Sequence, residues 1–220
     1  MEKWLKLHRK FIYDDRCKLY IPLLTYMDTA RTKVEDISQY RNHGTIYGAV
    51  PDEIGFYFDG TDDYIDCGKD ESLNITDAIT IELWAKISSF VDSTATIMEY
   101  HYYRNTLTIS NGKYYGWWKT TDLDALYTFP THTAGWRYYT ITYNNTDGYL
   151  RGYSNGEYCG KKYFGGNNYV GDGNVYISKR TAGDSSRFNG TIALVRIWDI
   201  ALSEETIKSH YEIERHLFGV

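Results

Sequence analysis

The stretch Ala78-Ile79-Thr80-Ile81-Glu82-Leu83-Trp84-Ala85-Lys86-Ile87 decides the fold. Successive side chains of a strand point to opposite faces. Ile79, Ile81, Leu83, Ala85 and Ile87 therefore share one face, and Thr80, Glu82, Trp84 and Lys86 share the other. Alternation of this kind predicts a half-buried antiparallel strand. A second run, Trp136-Arg137-Tyr138-Tyr139-Thr140-Ile141-Thr142-Tyr143, is rich in the aromatic and β-branched residues that suit a pleated surface. A third, Ile192-Ala193-Leu194-Val195-Arg196-Ile197-Trp198, is apolar on both faces and predicts a strand covered from both sides.

Turn chemistry supports the same conclusion. A type I′ hairpin turn needs positive φ at both central residues, which Asn-Gly tolerates at little cost. Asn111-Gly112 lies between Thr106-Leu107-Thr108-Ile109-Ser110 and Lys113-Tyr114-Tyr115, and Asn155-Gly156 lies between Tyr149-Leu150-Arg151-Gly152-Tyr153 and Glu157-Tyr158-Cys159. Both predict hairpins. Helix is confined to the end of the chain, where Ser203-Glu204-Glu205-Thr206-Ile207 reads as a capped start running to about residue 214. The expected class is all-β, a two-sheet antiparallel sandwich of jelly-roll form with a short C-terminal helix. With 220 residues and no linker-like run, one domain is expected over 23–220. It follows an N-terminal arm or short helix and lead-in strand over 1–22.

Composition narrows the function classes. Aromatic residues make up 17% of the chain, with 23 Tyr, 6 Trp and 8 Phe, so many amphipathic rings lie at or near the surface. The net charge of -5 leaves no basic footprint for nucleic acid. No window is apolar enough for a membrane span, and charges interrupt every short apolar run of the first ten residues, so no signal-peptide stretch is expected there. Three cysteines, Cys17, Cys67 and Cys159, cannot all pair within the chain, and none forms a Cys-x-x-Cys pair. Buried free thiols are expected.

The order of short motifs then becomes informative. Asp36-Ile37-Ser38-Gln39-Tyr40-Arg41-Asn42-His43-Gly44-Thr45 precedes Phe58-Asp59-Gly60-Thr61-Asp62-Asp63-Tyr64-Ile65, followed by Ile79-Thr80-Ile81-Glu82-Leu83-Trp84. The second half supplies Gly135-Trp136, Asn155-Gly156, Tyr176-Ile177-Ser178, Phe188-Asn189-Gly190-Thr191 through Trp198, and Ala201-Leu202-Ser203-Glu204-Glu205. Taken in order over residues 23 to 212, these motifs resemble the laminin G-like domains of the concanavalin A-like lectin and glucanase superfamily. The resemblance implies two curved antiparallel sheets packed face to face. It also favours an extracellular or virion-surface location, although the chain itself leaves localisation unknown.

Two departures bear on function. Where the family commonly has an acidic pair, this chain has Ala193 and Leu194, which weakens the case for a structural calcium ion that needs six to eight oxygen ligands. Asp28, Asp59, Asp62 and Asp63 remain as oxygen donors, with the plainer role of turn residues bonding local amides. No cofactor is expected beyond that possible calcium, and no metal ligands are assigned. Glycosidases of the superfamily carry paired carboxylates on one strand, as Glu-x-Asp-x-x-Glu or a near variant, and retaining enzymes hold the pair roughly 5 to 5.5 Å apart. Here Glu82 has Thr80, Trp84 and Lys86 as same-face neighbours, and Glu99 stands between Met98 and Tyr100. Both are expected to be ordinary solvated carboxylates. His8, His43, His101, His132, His210 and His216 show no metal spacing; the last two, six apart on the terminal helix, do not share a face. Phosphate-loop, G-x-S-x-G and dinucleotide patterns are missing from the sequence. No catalytic residue is assigned.

Binding is the expected activity. His101-Tyr102-Tyr103-Arg104 and Tyr114-Tyr115-Gly116-Trp117-Trp118-Lys119 decorate two strands around Asn111-Gly112. Rings of Tyr102, Tyr103, Tyr114, Trp117 and Trp118 can stack on sugar faces while Arg104 bonds hydroxyls. The competing role is core, since a sandwich buries one face of every strand. Gly116 marks an expected bulge or close backbone approach. The expected partner is carbohydrate or a protein surface, contacted for adhesion or attachment. The alternatives are a self-assembling subunit of a virion, pilus or surface layer and, third, an atypical glycosidase.

Overall fold

Alternation in residues 78–87 does yield a strand. The computed structural model describes residues 14–22, 30–88, 95–101, 105–110, 113–128, 135–181 and 187–220. Among them sixteen strands follow in chain order: β1 (Cys17–Ile21), β2 (Lys33–Val34), β3 (Gly44–Tyr47), β4 (Val50–Pro51), β5 (Phe56–Asp59), β6 (Tyr64–Asp66), β7 (Ala78–Ile87), β8 (Ala95–Tyr100), β9 (Thr106–Ser110), β10 (Lys113–Lys119), β11 (Asp124–Thr128), β12 (Trp136–Asn144), β13 (Tyr149–Ser154), β14 (Glu157–Tyr163), β15 (Val175–Ile177) and β16 (Asn189–Trp198). They form two eight-stranded sheets, and every ladder is antiparallel. The first sheet has the order β14-β13-β12-β7-β16-β5-β4, with β1 also paired to β16; the second has the order β11-β10-β9-β8-β15-β6-β3-β2. The lead-in strand β1 is thus part of the first sheet. No helix among the described residues is long and apolar enough to cross a membrane.

Inner faces meet as the alternation requires. Ile79, Ile81, Leu83 and Ala85 of β7 share one hydrophobic cluster with Leu107 and Ile109 of β9 and Tyr114 and Trp118 of β10. Rings tie the sheets together: Tyr114 stacks on Tyr139 of β12 with centroids 4.0 Å apart. At the Asn155-Gly156 turn φ is 52° and 76°, the two left-handed values a type I′ turn needs. The Asn111-Gly112 turn lies outside the described residues, but Ser110 and Lys113 on either side are cross-strand partners.

The prediction of a half-buried β7 is corrected by the structure. Thr80, Glu82 and Trp84 are buried as fully as the inner face. The cause is α1 (Glu204–Glu214), which lies with the C-terminal segment over the outer side of the first sheet. Trp84 stacks on Phe218 at 4.0 Å and on Tyr211 at 5.7 Å. Ser203 caps the helix, its hydroxyl accepting from the Thr206 amide at 3.3 Å. Ser203→Ala is expected to lower the unfolding free energy by about 1 kcal/mol, read as a shifted urea midpoint at unchanged slope.

One irregularity aims the buried polar groups. The β16 ladder with β7 shifts register between Ala193 and Arg196, and Leu194 takes a positive φ of 49°. Such a bulge puts one extra residue into a strand. Ala193 and Leu194 consequently both face the helix side, and Arg196 and Trp198 are returned to that side as well. The two residues that replace the family's acidic pair are therefore apolar core.

Candidate functional site

Motif residues that look functional in the sequence first sort into structural roles. Asp36 is buried, and its carboxylate accepts from the amides of Tyr20, Ser38 and Asn42 at 2.7 to 2.8 Å and from the Ser38 hydroxyl. It ties residues 36–42 to β1. Asp59, Asp62 and Asp63 bring carboxylate oxygens within 4.8 Å of one another. Asp59 accepts from the Thr61 amide at 2.7 Å and Asp63 from the Asp59 amide at 2.9 Å, as turn aspartates do. Burial raises the Asp63 carboxyl above its ordinary value and the charges of Asp59 and Asp62 add to this, while the Asp59 amide and the Arg187 guanidinium oppose it. Three carboxylates, two of them occupied by local amides, are a poor match for the six to eight oxygens calcium takes. Asp28 lies outside the described residues. All three cysteines are free, Cys17 and Cys67 in the core.

The expectation that Glu82 and Glu99 are solvated is overturned. Glu82 and Arg196 are both 0% exposed. Glu82 accepts from Trp198 Nε1 at 3.0 Å and from the Tyr138 hydroxyl, and sits 3.1 Å from His210 Nδ1. Arg196 bridges Glu82 to buried Glu214, which also accepts from Trp84 Nε1 at 2.8 Å. Burial alone raises the Glu82 carboxyl, but Arg196 first, then His210 and Tyr138, hold it well below the usual carboxylate range. Glu82 is therefore a structural carboxylate enclosed under the helix, its ionised form favoured by Arg196 and its oxygens out of reach of a surface ligand. The clue in the sequence was Arg196 inside an apolar strand, opposite Glu82 in the ladder. Glu99 is buried under Thr181, whose amide donates to it at 3.0 Å and whose hydroxyl also donates.

The aromatic residues of β10 divide by alternation. Trp118 is 1% and Tyr114 2% exposed, both within the sandwich core. Their assignment as stacking rings for a ligand is corrected, because neither ring reaches the surface. Tyr115, Trp117 and Lys119 face outward. Arg180 lies over the Trp117 ring at 5.7 Å, and Lys119 Nζ lies 4.1 Å over the Tyr169 ring. Gly116 is no bulge: the register runs unbroken through it on both sides. Tyr102, Tyr103 and Arg104 lie outside the described residues.

A second group on the same outer face was not singled out from the sequence. Tyr47 of β3 stacks on its ladder partner Tyr64 of β6 with centroids 4.5 Å apart, and Tyr176 of β15 meets Tyr64 edge-on at 6.0 Å. After β15 the chain turns at Ser178, whose φ is 64°, and lies back across the sheet. Lys179 Nζ then sits 4.0 Å over Tyr64 and 4.8 Å from the Tyr176 centroid, and Arg187 lies 5.1 Å over Tyr64. A cavity of about 590 Å³ opens here, lined by Tyr47, Thr61, Asp62, Tyr64, Lys179 and Arg187. That volume is typical of a small-molecule site. Its residues come from three separated segments, and only the outward positions of Tyr47, Tyr64 and Tyr176 hinted at it.

Two packed antiparallel sheets with this strand order define a jelly-roll sandwich. The match of residues 59–208 to the family model for the concanavalin A-like lectin/glucanases superfamily makes the chain a member of that family. No curated protein sequence matches it. Among solved structures, the chain is similar to the binding domain of Paraclostridial Mosquitocidal Protein 1 (TM-score 0.67, 14% identity), covering 90% of this chain and 52% of that one. It is similar to a botulinum neurotoxin serotype D ligand binding domain in complex with N-acetylneuraminic acid (TM-score 0.69, 20% identity; 90% of this chain, 51% of that one). A third is the botulinum neurotoxin DC binding domain in complex with SialylT (TM-score 0.68, 16% identity; 90% and 51%). The chain spans about half the length of these structures.

Proposed function

We propose that this chain is a non-catalytic carbohydrate-binding module that attaches to glycosylated surfaces through the outer face of its second sheet. The observation that carries the reading is the solvent-facing row of rings with cations held against them, from Trp117 with Arg180 to Tyr47 and Tyr64 with Lys179. Flat rings offer apolar faces to sugar C–H groups, and adjacent cations and carboxylates exchange hydrogen bonds with hydroxyls. Support comes from sugar-bound structures that share this fold and from the enclosure of Glu82 beneath the helix.

A glycan array tests the reading. Binding to at least one glycan is expected, and Trp117→Ala should weaken it roughly tenfold, the loss of about 1.4 kcal/mol of stacking. A folded protein that binds no glycan would overturn it, as would turnover of a bound glycan for the non-catalytic part.

A further inference from the structure

We propose that the cavity over Tyr47 and Tyr64 is a subsite for a sugar ring carrying one carboxylate, with Lys179 as the group that receives the acid. The inference rests on the carbohydrate-binding reading above and adds the ligand's charge and its position. Tyr47 is 45% exposed although it is stacked on Tyr64, so one ring face is available to a ligand. Thr61 and Asp62 line the same cavity and can bond ring hydroxyls.

The charges decide which ligand fits. Arg187 shares its field with Asp63, whose carboxyl it lowers. Lys179 Nζ, by contrast, makes no ion pair or hydrogen bond with any described residue; its contacts are the faces of Tyr64 and Tyr176. An ammonium held between rings keeps its three N–H donors for an incoming acceptor, and a carboxylate is the strongest partner of matching charge. Asp62 in the lining opposes a second negative charge, which favours a monoanionic sugar acid over a phosphate or sulfate dianion. Placing Lys179 there requires Ser178 in the left-handed region, a conformation that costs energy in a non-glycine residue and gathers at ligand sites.

Isothermal titration of the full chain with 3′-sialyllactose, a glucuronic-acid-terminated disaccharide, the methyl ester of each, and lactose tests this. At least one acid should bind ten or more times tighter than its ester, and which acid binds separates sialic from uronic ligands. Lys179→Met should abolish that preference with at most a small fall in the thermal midpoint, since the lysine head makes only cation–π contacts and no ion pair or hydrogen bond with a described residue. Tyr47→Ala should weaken acid and ester alike. Equal binding of acid and ester, or an acid preference that survives Lys179→Met, would sink the proposal. If neutral glycans bind in a Trp117-dependent way with no acid preference, this subsite fails and the broader reading stands; if nothing binds, both fail.

Discussion

Arg196→Met is expected to destabilise the protein by about 3–5 kcal/mol, because it strands two buried carboxylates without their cation. Glu82 and Glu214 are both enclosed between the first sheet and α1, and Arg196 is the cation that bridges them. Methionine fills most of the arginine's volume, so the loss reports charge rather than a cavity. Urea denaturation at neutral pH measures it, and a change under 1 kcal/mol would show that His210 and the neutral donors Trp84, Trp198 and Tyr138 suffice.

The sign of the pH dependence gives a second readout. Glu82 has its folded-state carboxyl below the ordinary 4.5, so its ionisation stabilises the native protein at neutral pH; that contribution is lost as pH falls from about 4.5 toward the lower native value. Without Arg196 the remaining buried carboxylates are raised instead. The variant should then recover stability on mild acidification, where the parent gains nothing. Adding Glu82→Gln and Glu214→Gln to Arg196→Met should restore part of the loss at pH 7.

Trp118→Ala is the second large effect, with an expected cost of about 3–5 kcal/mol, while its neighbour Trp117→Ala should cost little stability. Trp118 is enclosed in the intersheet core beside Tyr143, centroids 6.2 Å apart, and deleting it opens a cavity that two stiff sheets cannot close. Its indole N–H is buried and finds no acceptor among the described residues. Trp118→Phe therefore removes an unmet donor along with some volume and should cost under about 1.5 kcal/mol. Thermal or urea unfolding of the three variants, set beside their glycan binding, separates the roles. Should Trp118→Phe lose binding at full stability, the outward assignment of Trp117 would be wrong.

Residues with a two-residue period determine most of this architecture by themselves. Ile79 to Ile87 and Trp136 to Tyr143 satisfy their alternation in packed antiparallel layers, and Ile192 to Trp198, apolar on both faces, fits a strand covered from both sides. Asn155-Gly156 and the Ser203 cap act within a few residues, so local chemistry alone places the hairpin and the helix start. The tertiary structure decided which face of each strand meets water. β7 has a polar-looking side with Glu82 and Thr80, yet α1, which begins only at Glu204, far along the chain, covers it. On β10 the alternation left two equivalent faces, and the opposing sheet chose Tyr114 and Trp118 for the core. Likewise, Tyr47, Tyr64 and Lys179 become neighbours only when β3, β6 and β15 pair and the chain folds back at Ser178. Local preference and periodicity act over a few residues, whereas burial and the meeting of charges depend on which distant segment arrives, and that is a property of the folded chain alone.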